Sequence, residues 1–261
     1  MTPGLARYTG KVALVTGAGS GIGRATAERI AQEGGAVAVV DIDEGGARKV
    51  ADAIAADGGR ALPLAFDVGD RGAYERGAAL VERELGLIDV LVSNAAIGGL
   101  GALGTWDAEA FDRVIHVNVL GVLHGMGVVG TRMAERKAGA IVCTTSLAAS
   151  YGLAGNMPYT ISKGGVSALT LASAMELAPH VRVNGVAPGK TLTPMREKMF
   201  GAPPTDDEIA AIAATYPLRR VAEPEDIAAA IAFLGSDDAV FITGVILAVD
   251  GGLSAGSAGL W

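Results

Sequence analysis

Cysteine is almost absent from this chain of 261 residues: Cys143 is the only one. One thiol excludes an intramolecular disulfide and a cysteine-based metal cluster. Histidine is scarce too, and His116, His124 and His180 lie in no carboxylate-rich cluster at ligand spacing, so no metal site is expected. Aromatic residues make up 5% and charged residues 19%, against 50% hydrophobic, which is too apolar for disorder. Basic side chains are outnumbered, 21 Lys and Arg against 28 Asp and Glu, for a net charge of −7. With a pI near 5.0 the chain has no electrostatic reason to approach phosphate backbones or anionic lipid, so neither nucleic acid nor membrane is an expected partner. Mean hydropathy is +0.39, yet no unbroken apolar run approaches the roughly 18–20 residues that span a bilayer. The opening M-T-P-G-L-A-R-Y-T-G-K holds no hydrophobic segment and no small-residue cleavage site, so no signal peptide is expected. The expectation is a soluble protein of a reducing cytoplasm.

What is abundant is glycine, 38 residues, unevenly spaced and with only 10 prolines, which rules out a collagen repeat. Short β-branched runs alternate with Ala-rich stretches of helical period, the pattern of βαβ units and a parallel sheet. Strands are expected at Val12–Thr16, Ala36–Val40, Ala61–Phe66, Val90–Ser93, Ala140–Thr145, Val181–Ala187 and Val245–Val249. Each is nearly continuous in apolar residues, as strands covered on both faces require. Helices are expected near 21–33, 44–57, 70–85, 107–135, 158–178 and 224–234. Prolines 188, 194, 203, 204 and 217 interrupt this rhythm over 188–222, leaving a short helical pattern at 206–214. A long irregular insertion of this kind suits a substrate lid, here at about 190–220. No composition shift or repeat divides residues 1–261 into more than one domain.

The first strand runs into T-G-A-G-S-G-I-G at 16–23 and then into a helical pattern. Strand, glycine turn and helix N-terminus together make an anion site, because free N–H groups and the helix dipole converge there. Gly17 suits the tight turn, and Gly21 and Gly23 allow close approach of a ligand and of the neighbouring strand. The second strand ends at Asp41, 24 residues after Gly17. A carboxylate at that tip accepts hydrogen bonds from ribose hydroxyls and repels a 2′-phosphate. Ile42 follows it, no Lys or Arg occupies the loop, and Asp43 is available to cap the next helix. NAD(H) is therefore expected over NADP(H).

Tyr159 and Lys163 are four apart, on one face of a helix, where an ammonium can lower a phenol whose ordinary pKa is about 10. Ser146 lies thirteen residues upstream, at the carboxyl end of a strand. That spacing also arises by chance on ordinary helices, but its surroundings do not. T-G-A-G-S-G-I-G at 16–23, Asp67-Val68, S-N-A-A at 93–96, H-V-N-V around Asn118, Ser146, Y-T-I-S-K at 159–163, P-G-K-T-L-T-P at 188–194 and D-G-G at 250–252 occur in one order. In these motifs, over essentially its whole length, the chain resembles the short-chain dehydrogenase/reductase family in its single-domain form. The resemblance implies an α/β Rossmann fold, a doubly wound parallel sheet of seven strands with helices on both faces. It also implies a catalytic set. Tyr159 exchanges a proton with the substrate oxygen, Ser146 orients that oxygen, Lys163 tunes the tyrosine and holds the nicotinamide ribose, and Asn118 holds a relay water. Coenzyme contacts are implied for Gly17, Ser20, Gly21, Ile22, Gly23, Asp41 and Ile42, for Asp67 and Val68 at the adenine, and for Asn94 and Ala95. Tyr159, Lys163, Val186, Pro188, Gly189, Thr191 and Thr193 are implied around the nicotinamide.

The chain departs from the family's N-N-A-G: Ser93 replaces the first Asn and Ala96 the Gly. Residues expected around the substrate are Ile97–Leu100, Leu147–Ala149, Tyr151, Leu153, Asn156, Met157, Lys190 and Met195–Phe200, mostly apolar. They suit a ketone or secondary alcohol with aliphatic, alicyclic or aromatic bulk. Lys190 suits a substrate carboxylate, although a solvated lysine on a loop is the expected state. Cys143 is expected to be a buried hydrophobe. The nearly all-apolar 120–130 and the family's habit of pairing the helices at 107–135 and 158–178 point to a homo-oligomer, a dimer or tetramer. Two alternatives differ in kind: reduction of a 3-oxoacyl thioester on an acyl carrier, which goes with NADP(H) and a basic surface, and a non-catalytic NAD-binding sensor.

Overall fold

The computed structural model describes residues 6–256. Seven strands, β1 (Val12–Thr16), β2 (Ala36–Asp41), β3 (Arg60–Ala65), β4 (Ile88–Ser93), β5 (Gly139–Thr144), β6 (Val181–Pro188) and β7 (Ile246–Val249), form one sheet. Every pairing is parallel, and the order is β3-β2-β1-β4-β5-β6-β7. Each boundary lies within about two residues of the expected one. β3 starts and ends one residue early, because Phe66 leaves the sheet to pack edge-on against Tyr74, ring centroids 5.3 Å apart. Pro63 is tolerated in β3 because β3 is an edge strand.

The central strands bury both faces. Ala13, Val15, Val37, Val39, Val90 and Val92 belong to one core cluster, while Leu14, Ala38, Val40 and Leu91 belong to the other. Helices α1 (Gly21–Gln32), α2 (Glu44–Ala56) and α8 (Pro224–Gly235) supply the first cluster with Ala27, Ile30, Val50, Ile54, Ile227 and Ile231. α3 (Arg71–Glu84), α4 (Ala108–Glu135) and α5 (Met157–Leu177) cover the second with Tyr74, Val81, Met126, Met133, Val166 and Ala174. The doubly wound architecture follows from this period-two division of each strand between two apolar faces.

α4 is 28 residues long and holds an 18-residue window of mean hydropathy 1.5, enough to span a membrane by length and composition alone, although its sequence contains no unbroken apolar run of that length. Half of that apolar window is buried inside the fold, as a helix packed onto the sheet requires. It contains two π-helical turns, His116–Leu120 and Met126–Gly130, the first of which carries Asn118.

The lid is more ordered than its prolines suggest. Besides α7 (Asp206–Thr215), opened by a Thr205–Glu208 capping box, it contains a helix absent from the sequence reading, α6 (Pro194–Phe200). Pro194 was counted as a breaker; it sits in the first turn, where proline has no N–H bond to lose.

Candidate active site

The sheet order reverses between β1 and β4, and the carboxyl ends of those two strands open the crevice where such sheets hold ligands. Thr16 and Asn94 close its floor. The Thr16 hydroxyl accepts from the Asn94 and Ala95 amides at 3.0 and 3.1 Å and donates to the Val92 carbonyl at 3.3 Å. The Asn94 amide donates to the Thr16 and Gly17 carbonyls at 3.0 and 3.3 Å, and its oxygen accepts from Thr144 at 3.1 Å. One side chain thus ties three strand ends together. Ser93 is buried and its hydroxyl finds no partner among the described residues, the local cost of its departure from Asn.

The glycine turn is built for close approach. Gly17 and Gly21 have φ of +63° and +52°, and a Cβ on Gly23 would overlap the Gly17 carbonyl. Ser20 precedes α1 in extended backbone without capping it, and no acidic residue lies in the first turn. The N–H groups of that turn, around Ile22, remain available to an anion. Asp41 stands opposite, its carboxylate accepting from Gly19 N at 2.9 Å and Asp43 N at 3.0 Å. Asp43 caps α2 through Gly45 N at 3.1 Å, so helix capping does not explain Asp41. Ile42 is 73% exposed beside it. Arg24 of α1 and Arg48 of α2 are committed to carboxylates, Arg24 to Glu28 at 2.8 Å and Arg48 to Glu44 at 3.0 Å. An uncapped helix end, a glycine cradle and a carboxylate at the tip of β2 fit a dinucleotide.

The four residues singled out for proton transfer come together. Ser146 lies beside the Tyr159 phenol, and the Ser146 oxygen accepts from Ala148 N at 3.1 Å, which fixes its direction. Lys163 is buried, its Nζ 5.7 Å from the Tyr159 ring centroid and donating to the Thr144 carbonyl at 2.7 Å. Asn118 is fully buried: its oxygen accepts from Ile97 N at 2.8 Å, and its amide donates to Ile97 O and Ser162 Oγ, both at 3.0 Å. Ser162 donates to the Tyr159 carbonyl at 2.7 Å, so Asn118 and the tyrosine are mechanically joined.

The electrostatics of the protein alone differ from expectation. Burial pushes the Tyr159 phenol up rather than down, with the Ser146 hydrogen bond opposing it, and burial pushes Lys163 down to about 8. Lys163 faces a backbone carbonyl and spends its proton there. Cys143, buried beside it, is pushed up to about 11 by burial, as an inert hydrophobe.

After β6, Pro188 is buried and Gly189 N donates to Val249 O at 3.0 Å. Thr191 bridges to Ala222, and Thr193 leads into α6 with its methyl 3.4 Å from where a Gly21 side chain would begin. The loop after β6 and the glycine turn therefore face each other. Tyr216 was missed: its hydroxyl accepts from Lys190 N at 2.7 Å and it packs against Gly189, holding that loop in place. Only its position in the lid marked it. Lys190 itself is exposed. Of the substrate-side residues, Leu147–Ala149 form a 3-10 turn after Ser146, and Met199 of α6 is seated so tightly on Gly98 that a Cβ there would overlap its sulfur. Tyr151 donates to Ser254 O at 3.2 Å, while Leu153 and Leu100 lie half exposed. Asn156 keeps a buried side-chain oxygen without a partner among the described residues.

Comparison with known proteins agrees with this arrangement. A family model described as enoyl-(acyl carrier protein) reductase matches residues 17–254. The chain is 43% identical to cis-4-hydroxycyclohexanecarboxylate dehydrogenase of Sinomonas cyclohexanicum, over 95% of this chain and 98% of that protein. It is 39% identical to a 3-oxoacyl-(acyl-carrier-protein) reductase of Thermotoga maritima, over 95% and 99%. A crystal structure of levodione reductase superposes with a TM-score of 0.89 at 34% identity, covering 95% of this chain and 99% of that one.

Proposed function

The chain belongs to the short-chain dehydrogenase/reductase family, whose members take a nicotinamide coenzyme and act on CH–OH groups, and from that premise we propose that it interconverts a secondary alcohol and its ketone using NAD(H). The observation that carries the reading is that buried Lys163 stands 5.7 Å from the Tyr159 ring centroid, with Ser146 beside the phenol, at the carboxyl edge of the sheet. The coenzyme, when bound, supplies or accepts the hydride. Ser146 holds the substrate oxygen, and Tyr159 donates its phenolic proton to that oxygen in reduction and takes it back in oxidation. Lys163 holds the ribose and steadies the charge on the tyrosine. Asn118 keeps the helix turn and a relay water in register with Ser162 and the Tyr159 carbonyl.

Residues of the glycine turn (Gly17, Ser20, Gly21, Ile22, Gly23) hold the pyrophosphate, and Asp41 with Ile42 receives the adenosine ribose. Asp67, Val68, Asn94 and Ala95 line the adenosine side, and Pro188, Gly189, Thr191 and Thr193 the nicotinamide. Asp41, with Arg24 and Arg48 both paired to carboxylates, favours NAD(H), since a 2′-phosphate there meets a carboxylate. The apolar loops at 97–100 and 147–153, closed by Met199, suit a cyclic or branched substrate. The Sinomonas dehydrogenase and levodione reductase support that class. The Thermotoga relative favours an acyl-carrier substrate instead, but Asp41 and the net charge of −7 argue against the NADP(H) and basic surface that go with an acidic carrier.

We place the enzyme in the cytoplasm, as one catalytic domain that assembles with itself. Leu123, Ile161, Leu171 and Met175 leave an exposed apolar stripe on α4 and α5, and Phe241 leaves another beside β7. A screen of about a hundred secondary alcohols against NAD⁺ and NADP⁺, read by reduced-coenzyme absorbance, tests the proposal. We expect turnover of cyclic alcohols with NAD⁺ favoured at least about tenfold in kcat/KM. Equal efficiency with NADP⁺ overturns the coenzyme assignment.

A further inference from the structure

We propose that His116 and His124 are positioning residues for the adenosine end of the coenzyme, a role that rests on the dinucleotide reading above. Both stand on α4, two turns apart, and both reach the same dipeptide. His116 Nε2 lies 3.2 Å from Asp67 Oδ2, and His124 Nδ1 lies 3.3 Å from the Val68 carbonyl. A carbonyl only accepts, so His124 carries its proton on Nδ1; an ionised carboxylate only accepts, so His116 carries one on Nε2. The other Asp67 oxygen accepts from Gly69 N at 2.8 Å. With both oxygens engaged, the carboxylate plane is set.

The surroundings are shaped for these contacts. A Cβ on residue 69 would overlap the His116 ring, so Gly69 is what admits the imidazole. A Cβ on residue 121 would lie 2.6 Å from Val68 Cγ2, so Gly121 lets α4 close on the dipeptide. Asp67 and Val68 follow β3 at the carboxyl edge, where Phe66 N donates to Asp41 O at 3.2 Å, so the dipeptide adjoins the carboxylate assigned to the ribose. The first π-helical turn of α4 begins at His116 and contains Asn118. One helix therefore fastens the adenosine end through its histidines and the proton relay through its asparagine. Their chemistry is not shared: His116 bonds to Asp67, and no hydrogen bond among the described residues joins it to Ser146, Tyr159 or Lys163.

His116 and Asp67 are partly exposed, 44% and 39%, so the effect of losing the contact is modest. The test is NADH titration by fluorescence, with melting temperature and steady-state kinetics, on wild type, His116→Ala and His116→Gln. Glutamine places an N–H donor near the position of Nε2. For His116→Ala we expect the NADH Kd and the KM for NAD⁺ to rise together by about fivefold, with kcat at saturating coenzyme changed by less than about twofold. His116→Gln should recover NADH binding to within about twofold of wild type. Unchanged NADH affinity in His116→Ala overturns the proposal, and so does a His116→Gln variant as weak as alanine. Failure of the wild-type protein to bind NADH overturns the dinucleotide reading itself, a result distinct from either.

Discussion

The coenzyme side of the crevice and the substrate side are held together by different means. Around Thr16, Asn94, Asn118 and Thr144, buried polar atoms are tied in pairs, and glycines sit where a single methyl would overlap backbone. Across the crevice, the loops at 97–106 and 147–156 leave Leu100, Leu103, Tyr151 and Leu153 exposed, and several glycines there have empty space where a side chain would go. One side is a template for a fixed ligand. The other is a frame that tolerates change, as a site whose substrate varies from protein to protein requires.

The sharpest way to break this contrast is to make the same substitution on both sides. Gly23→Ala drives a methyl into the Gly17 carbonyl and the Asn94 amide, and we expect a loss of about 3 kcal/mol in urea unfolding together with loss of coenzyme binding. Gly152→Ala meets nothing within 4 Å and should change stability by less than about 0.5 kcal/mol. Equal effects would erase the distinction.

The next effect is electrostatic. Burial lowers Lys163 from its ordinary 10.5 to about 8. Between those values the unfolded chain binds a proton that the folded chain has released, so stability rises with pH; below about 8 the burial cost is constant. Compared with Lys163→Met, the wild-type protein should gain about 2 kcal/mol between pH 7 and pH 9.5, measured by urea unfolding at each pH. A flat difference would mean that the lysine is solvated and the template looser than described.

The smallest effect belongs to the substrate side. Met199→Ala removes the side chain that seats α6 on Gly98. The KM for the alcohol should rise by about threefold to tenfold, with NADH affinity unchanged. A matching loss of NADH affinity would show that the two sides are not separable.

The same contrast explains what could be read from the chain. The central strands β1, β2, β4 and β5 were legible because they are nearly continuous apolar runs buried on both faces, and the partly exposed edge strands β3 and β7 from the alternation of strand and helix; the glycine turn, Asp41 and the Tyr159–Lys163 spacing are local patterns. α6 was illegible because Pro194 reads as a breaker unless the helix start is already known. Tyr216 and the His116–Asp67 contact were illegible for a different reason: 26 residues separate Tyr216 from Lys190, and 49 separate His116 from Asp67. Contacts over such distances arise from sheet order and carry no local signature. In the protein alone burial outweighs every other influence on the Tyr159 phenol, and spacing reports that a lysine is near, not that its ammonium donates to the Thr144 carbonyl.

In the proposed mechanism Tyr159 transfers the proton while the glycine turn and Asp41 hold the coenzyme independently of it. Tyr159→Phe removes one oxygen and leaves the ring. NADH titration and turnover of the best alcohol from the screen, on wild type and variant side by side, separate the two roles. We expect NADH affinity within about twofold of wild type and turnover reduced by at least about a thousandfold. A variant that keeps more than about a tenth of wild-type turnover contradicts this mechanism, as does a wild-type protein that binds NADH yet oxidises no alcohol and reduces no ketone.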